Sequence, residues 1–268
     1  KSIDAVPVST ADHCHALAAV AAMRAGKHVY CEKPLAHSVH EARVMRETFA
    51  KSKVATQMGT QIHATDNYRR VVELVQSGAI GPVREAHVWC SRTINPIGAP
   101  VLERQSPPDW FHWDEWQGPA PDRYHNQGYW KGGNLNWNRR WDYGNGVLGD
   151  MGSHLIDLPW WALELTTPLT CEAHGPKADA VACPPWMRVT WEHAARKGRA
   201  ALEVPVKVVW YHGGRSKRDR PAIETGMDLG KWGNGILFVG DKGMLLADYG
   251  KRILLPKEKF GGHKAPKP

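Results

Sequence analysis

Hydrophobic and polar positions near the amino terminus follow the pattern of two buried strands joined by a helix. Residues 3–10 form a short apolar run, residues 12–24 are an Ala-rich helical pattern, and residues 27–31 form the next strand. Two such strands pair in parallel through a right-handed crossover. Because ligands bind beyond the carboxyl ends of parallel strands, we expect Thr10 and Lys33 to face one crevice.

The pattern changes after residue 60. A helix at 37–51 and a strand at 54–58 complete a first domain over 1–60, and we assign 61–268 to a second domain. In the second domain a helix at 67–77 precedes further strands, predicted at 83–90, 187–192, 202–210, 236–239, 244–247 and 253–255. Gly-containing turns separate the last three, and consecutive hairpins indicate an antiparallel sheet. The predicted fold class is therefore a partial parallel α/β sheet followed by an α+β domain with a large, mainly antiparallel open sheet.

Residues 95–145 lack sustained periodicity and are rich in Pro, Trp, Asn and Gly. Long irregular stretches inside compact domains are usually functional or disordered. The seven Trp and Phe residues of this stretch argue against disorder; they are Trp110, Phe111, Trp113, Trp116, Trp130, Trp137 and Trp141. We therefore expect an ordered excursion that covers part of the pocket.

Composition restricts the choice of partners. The 268 residues are 42% hydrophobic and 23% charged, without the run of about 18 apolar residues that a membrane span needs. The five cysteines show no C-x-x-C spacing and are interpreted as free thiols. The net charge of +8 is spread along the chain, with concentrations at 215–220 and in the tail from Lys251. No nucleic-acid motif accompanies it, so we predict a basic surface that favours anionic small molecules.

Residues suited to catalysis lie in two places in the sequence. The first is Lys33, just past the carboxyl end of the second strand. The second is the helical segment 149–157, where Asp150, His154 and Asp157 fall on one face at about 100° per residue. A carboxylate one turn before an imidazole can fix its tautomer and raise its basicity. Purely structural roles remain open, with Asp150 as a helix N-cap or His154 and Asp157 as a buried pair. We also expect Pro159 to kink the helix or set its boundary.

Two other chemistries are disfavoured. His13, His15, His154 and the two aspartates have no spacing diagnostic of a zinc or manganese site, so no metal is predicted. A serine hydrolase is also disfavoured, because the chain contains no G-x-S-x-G motif.

The chain resembles the Gfo/Idh/MocA family (glucose–fructose oxidoreductase, inositol dehydrogenase and relatives). The resemblance rests on three segments in the family's order and spacing, Ser9-Thr10-Ala11-Asp12-His13-Cys14-His15, Gly26-Lys27-His28-Val29 and Cys31-Glu32-Lys33-Pro34. The family also has an aspartate four residues before a histidine, as in Asp150 and His154, opposite the lysine of Glu-Lys-Pro. The resemblance implies that the parallel sheet is part of a Rossmann domain.

One family motif is missing. The G-x-G-x-x-G fingerprint that opens the family does not precede the strand at 3–10, and the chain starts at Lys1 inside that strand. We therefore expect an amino-terminally truncated chain whose missing part carries the main pyrophosphate site, which makes an inactive fragment one alternative. The residue that selects NAD or NADP would also lie upstream, so both cofactors are retained.

The resemblance implies roles for individual residues. Lys33, Asp150 and His154 are the expected catalytic residues, with His154 as general base oriented by Asp150. The expected cofactor-binding residues are Ser9, Thr10, His15, Glu32, Lys33 and Gln61. The expected substrate-binding residues are His63, Trp141, Asp157 and Tyr211, and His63 stands where many relatives have arginine.

The predicted activity is NAD(P)-dependent transfer of hydride from a secondary hydroxyl of a sugar, cyclitol or glycoside. Two alternatives are retained. One is NAD-dependent glycoside cleavage through transient oxidation and elimination, and the other is a non-enzymatic carbohydrate-binding module or inactive fragment. The resemblance also implies pairing through the exposed face of the second sheet, hence a homo-oligomer with a small-molecule substrate.

Overall fold

The computed structural model describes residues 3–92, 101–196, 203–213 and 220–263. They form two compact units. Unit 1 contains residues 3–60, 101–153 and 179–184, and unit 2 contains the rest. Within these ranges, every helix is too short or too polar to cross a membrane. The basic run at 215–219, the predicted strand start at Leu202 and residues 95–100 of the excursion lie outside the described residues.

The described part of the chain contains ten strands and eight α-helices. In chain order they are β1 (Ala5–Val8), α1 (His15–Arg24), β2 (His28–Glu32), α2 (Val39–Ser52), β3 (Thr56–Gly59), α3 (Asp66–Gln76), β4 (Val83–Cys90), α4 (Trp113–Gln117), α5 (Asn134–Trp137), α6 (Gly146–Leu155), α7 (Asp157–Ala162), β5 (Thr170–His174), β6 (Met187–His193), β7 (Val206–His212), β8 (Asn234–Gly240), β9 (Gly243–Ala247), β10 (Arg252–Leu255) and α8 (Lys257–Phe260).

Unit 1 is built on a parallel sheet in the order β1-β2-β3. The helices α1 and α2 contact each other, and α1 packs on the sheet through small apolar side chains around Ala19, Met23 and Val29. α2 begins at a capping box in which Ser38 accepts from the amide of Glu41, and the Glu41 carboxylate accepts from the Ser38 amide. The sequence prediction of a partial Rossmann-type sheet is confirmed.

Unit 2 contains a seven-stranded sheet in the order β10-β9-β8-β4-β7-β6-β5. Only β4 and β7 pair in parallel among its strands, so the sheet is mainly antiparallel, as predicted. One of its faces carries a core of fully buried side chains that includes Trp89, Leu237 and Leu246. β5 was not predicted, because all five of its residues are exposed and carry no apolar alternation.

The aromatic excursion packs within unit 1, whereas the sequence analysis assigned it to the second domain. Its described residues pack around Trp113, Tyr129 and Tyr143, and His13 at the start of the first helical segment contacts both Trp116 and Tyr143 edge to face, with centroids 5.3 and 5.2 Å apart. Unit 2 begins at Gln61. Residues 101–153, however, return to the first unit, because their aromatic side chains pack there.

Candidate active site

Three strand ends in unit 1 lie side by side at one edge of the parallel sheet. Val8 pairs with Cys31, and Glu32 pairs with Gly59, so the segments that follow β1, β2 and β3 leave the sheet at the same edge. Ser9 and Thr10 are exposed there, and Glu32 is half-buried. A Cβ atom on Gly59 would lie 2.6 Å from Glu32 Oε2, so a larger residue at this position would have to displace the Glu32 carboxylate.

A buried ion pair joins this edge to helix α6. Lys33 Nζ donates to Asp150 Oδ1 at 2.6 Å and to the Asp150 backbone carbonyl at 3.0 Å. The Asp150 side chain is 1% exposed and the Lys33 side chain 15% exposed. The two donated bonds hold the lysine amino group at a fixed position. This pair brings together two of the three predicted catalytic residues.

Helix α6 places His154 one turn after Asp150, and it corrects two interpretations of the sequence. The helix begins at Gly146, whose φ is 64°, so Asp150 lies inside it and is not an N-cap. The helix also ends at Leu155, so Asp157 belongs to the separate helix α7 and not to one continuous face with Asp150. The break precedes Pro159, which cannot donate to the carbonyl four residues earlier and clashes with it. In unit 2, the backbone carbonyl of His154 accepts from the buried Tyr68 hydroxyl at 2.8 Å.

Asp12 is a buried carboxyl group that the sequence reasoning did not assign to the site. It is 5% exposed, and its Oδ2 has no hydrogen-bond partner in unit 1. Burial raises the pKa of Asp12, interactions with His15 and Lys33 lower it, and Asp150 raises it further. The signal in the sequence was a charged residue directly after a strand and before an apolar helix. Asp12 therefore adds a protonatable group beside the Lys33–Asp150 pair.

We expect Asp12→Asn to stabilise the protein near neutral pH. The raised pKa means that the folded protein keeps a proton that the unfolded chain releases above its ordinary 3.8, so this part of the stability falls as the pH rises through that range. Asparagine stays neutral at every pH. The free energy of unfolding should therefore exceed that of the wild type by about 1 kcal/mol at about pH 7.5, with a smaller difference at about pH 4.5.

Urea unfolding at the two pH values measures this difference. The exposed Asp114 on α4 supplies the control, and Asp114→Asn should leave the pH dependence unchanged. A variant Asp12→Asn that is less stable than the wild type at the higher pH would show that Asp12 is ionised and stabilised by its cationic neighbours.

The two histidines near the start of α1 have structural contacts. His15 faces backbone carbonyls with both ring nitrogens, Nδ1 at 2.6 Å from Pro34 and Nε2 at 3.0 Å from Thr10. It thus ties the loop after β1 to the loop that carries Lys33. His13 Nε2 lies 3.1 Å from the carbonyl of Trp116, and burial lowers the pKa of His13. Roles for Ser9, Thr10, His15 and Glu32 toward a cofactor stay predictions.

In unit 2, two predicted substrate-binding residues contact each other. His63 follows β3 in a short 3-10 helix over Gln61–Ala64, and its Nδ1 lies 2.8 Å from Asp157 Oδ2. The imidazole also stacks on Trp161, with centroids 4.0 Å apart and ring planes at 18°. Burial raises the pKa of Asp157, and the hydrogen bond from His63 opposes this shift. Gln61 is exposed at the start of the same segment.

The two remaining predicted residues have contacts of their own. Trp141 in unit 1 is 36% exposed, and its indole N–H donates to the carbonyl of Asp179 at 3.0 Å. Tyr211 in unit 2 lies 3.0 Å from His87 Nδ1 through its hydroxyl oxygen, on the same sheet face as Trp89. Burial raises the pKa of Tyr211 to about 12. A substrate-binding role for either residue stays a prediction.

The residues at the edge of the parallel sheet fit one end of a nicotinamide cofactor. They offer the exposed hydroxyls of Ser9 and Thr10, a fixed ammonium group on Lys33, and a glycine-lined approach at Gly59. Cys14, Cys31 and Cys171 are free thiols. Across the described ranges, His, Cys, Asp and Glu form no group of three arranged to hold a metal ion.

Two family models match the chain. One is described as the NAD-binding Rossmann fold of an oxidoreductase family and covers residues 1–60. The other is described as the C-terminal alpha/beta domain of that oxidoreductase family and covers residues 67–199. Their boundary agrees with the end of the parallel sheet at Gly59.

Curated relatives match shorter stretches. Inositol 2-dehydrogenase 3 of Saccharopolyspora erythraea is 40% identical over 86 residues, which is 32% of this chain and 25% of the relative. Levoglucosan dehydrogenase of Pseudarthrobacter phenanthrenivorans is 26% identical over 157 residues, or 58% of this chain and 32% of the relative. Glucose-6-phosphate 3-dehydrogenase of Bacillus subtilis is also 26% identical over 157 residues, or 59% of this chain and 36% of the relative.

Solved structures show the same fold. A levoglucosan dehydrogenase in complex with NADH matches 92% of this chain and 54% of its own, with a TM-score of 0.55 and 18% identity. An oxidoreductase domain protein from Kribbella flavida matches 92% of this chain and 55% of its own, with a TM-score of 0.58 and 22% identity. This chain therefore spans a little over half the length of these structures.

Proposed function

We propose that this chain, which belongs to the Gfo/Idh/MocA family of oxidoreductases, acts in NAD(P)-dependent oxidation of a secondary hydroxyl on a sugar, cyclitol or glycoside. The observation that carries the proposal is the Lys33–Asp150 ion pair at the carboxyl edge of the parallel sheet. Lysine in such a pair is charged, desolvated and fixed, which is what stabilisation of a developing alkoxide requires.

Lys33 would donate a hydrogen bond to the oxygen of the hydroxyl that is oxidised. As the hydroxyl proton passes to the general base, negative charge grows on that oxygen, and a fixed ammonium group stabilises the charge without further reorganisation. Asp150 would hold the amino group in place through its carboxylate and its carbonyl, at 2.6 and 3.0 Å. Asp150 is thus a positioning residue for Lys33 in this proposal.

His154 is our candidate for the general base that accepts the hydroxyl proton. Helix α6 sets it one turn beyond Asp150, and the Tyr68 hydroxyl fixes the backbone of the same residue from within unit 2. An imidazole is suited to this step because its ordinary pKa lies close to neutral pH.

Ser9, Thr10, Glu32 and Gln61 would line the nicotinamide side, with His15 shaping the loop that carries Lys33. When bound, the nicotinamide ring supplies the hydride acceptor. Two of the curated relatives are inositol and levoglucosan dehydrogenases by name, which supports a polyol substrate.

The test is an assay of the purified protein with NAD or NADP and a panel of sugars and cyclitols, with reduced nicotinamide and sugar products followed together. Stoichiometric formation of reduced cofactor and ketone supports the proposal. Glycoside cleavage without net reduction of the cofactor would replace it with transient oxidation and elimination. Calorimetry that detects neither cofactor nor sugar binding would overturn it in favour of a non-enzymatic chain.

A further inference from the structure

The hydrogen bond between His63 and Asp157 determines whether the outer ring nitrogen of His63, Nε2, donates or accepts a hydrogen bond. An ionised carboxylate only accepts hydrogen bonds, so His63 Nδ1, at 2.8 Å from Asp157 Oδ2, carries the proton. The outer nitrogen, Nε2, is then an acceptor whenever the ring is neutral. The His63 side chain is 46% exposed, which leaves this outer edge accessible, whereas the Asp157 side chain is 21% exposed.

The net charge of the pair is zero or negative in every protonation state that keeps the Nδ1 hydrogen bond. A neutral ring beside an ionised Asp157 gives −1, and a protonated ring beside it gives zero. A recognition site for phosphate or carboxylate needs hydrogen-bond donors and net positive charge, because these groups accept hydrogen bonds and carry negative charge. Anions placed at His63 Nε2 would meet either a lone pair or a cation already neutralised by its partner.

Trp161 restricts the orientation of the same ring. The imidazole lies nearly parallel to the indole at 4.0 Å, so one face of His63 is covered and its ring plane is set. Rotation of the ring that would bring Nδ1 outward loses both the stack and the carboxylate bond. In the neutral ring, the acceptor Nε2 is therefore the atom that a ligand meets.

Unit 1 shows the same feature at the candidate catalytic lysine. Lys33 is paired with Asp150, which is 1% exposed, and the carboxyl group of Asp12 lies in the same electrostatic environment. Lys33 in unit 1 is therefore paired with the Asp150 carboxylate, as His63 in unit 2 is paired with the Asp157 carboxylate.

We propose that His63, Asp157 and Trp161 form a subsite that recognises a donor hydroxyl and selects uncharged sugars or cyclitols over phosphorylated or carboxylated ones. The subsite rests on the proposed function, and it goes further by naming the substrate class. His63 contacts the ligand through Nε2, and Asp157 is the positioning residue that sets its acceptor role. Discrimination arises because the Asp157 carboxylate repels an anion at this position, and a carboxylate ligand also lacks the hydrogen that Nε2 accepts.

The first test compares kcat/KM for glucose with that for glucose 6-phosphate and glucuronate. The wild type should prefer glucose at least tenfold, and Asp157→Asn should reduce that preference about tenfold, a change of about 1.4 kcal/mol, mainly through KM. Glu172→Gln is the matched control, because Glu172 pairs with His174 at 3.1 Å on exposed β5. It should leave the preference unchanged. A wild type that oxidises the anionic sugars preferentially overturns the subsite while leaving the dehydrogenase intact.

The second test needs no turnover. The proton resonances of the His63 ring are followed by NMR during titration with inorganic phosphate. In the wild type they should not move beyond the shift of the exposed His174, whereas in Asp157→Asn they should move in a saturable way. Saturable binding of phosphate at His63 in the wild type overturns the proposal whether or not any sugar is oxidised. If no sugar is turned over and the His63 resonances of the wild type do not shift with phosphate, the result contradicts the proposed function. It still supports the exclusion of anions at His63.

Discussion

Lys33→Met is expected to lower turnover by about 10²- to 10⁴-fold, because it removes the one group we assign to stabilising the alkoxide. Methionine retains most of the apolar stem and loses the ammonium group that donates to Asp150. KM for the sugar should change much less than kcat, since charge on the oxygen develops mainly in the transition state. Steady-state kinetics with the best sugar from the panel measures the changes in kcat and KM separately.

Lys51 on α2 offers the matched control. It is exposed, so Lys51→Met makes the same chemical change away from the edge of the parallel sheet and should leave kcat within about twofold. Near-normal turnover in Lys33→Met, measured on protein shown to be folded by circular dichroism, would remove Lys33 from the mechanism. A proportional loss in both lysine variants would indicate a general effect of charge.

The position of Lys33 could be predicted from the sequence, because it depends only on local pattern. Two buried strands and an Ala-rich helix at 3–31 dictate a parallel crossover, and a residue that follows the second strand must lie at the carboxyl edge. The strands of unit 2 were predicted for a similar reason, since β8, β9 and β10 are short apolar runs joined by short turns. Local periodicity and turn chemistry determine these elements.

The partner of Lys33 could not be predicted in this way. Asp150 is 117 positions away along the chain, and its pairing depends on how residues 101–153 return to the first unit around Trp113, Tyr129 and Tyr143. Helical periodicity suggested a continuous face through Asp157, whereas the boundary expected from Pro159 falls before that residue, between Leu155 and Asp157. Asp12 was overlooked because a charged residue after a strand is usually solvated, and its burial is a tertiary property.

The second large effect that we expect is a loss of stability when one partner of the Lys33–Asp150 pair is removed. Breaking a buried pair by removing one partner typically costs about 3–5 kcal/mol, because the remaining charge is left uncompensated. The two ends are not equally buried, with Asp150 1% and Lys33 15% exposed. Lys33→Met therefore strands the more buried charge, and we expect it to destabilise the protein more than Asp150→Leu, whose remaining lysine reaches solvent more easily.

Removal of both charges should restore much of the loss. In Lys33→Met/Asp150→Leu neither charge of the pair remains, and apolar side chains of similar volume replace the pair, an exchange that is often neutral for stability. The double variant should therefore be more stable than Lys33→Met alone by about 2 kcal/mol or more, a coupling that a double-mutant cycle of urea unfolding measures directly. Additive losses would mean that the two charges do not interact in solution. The same double variant, folded but without an ammonium group, should stay as inactive as Lys33→Met, and recovered turnover would show that the lysine serves stability and not catalysis.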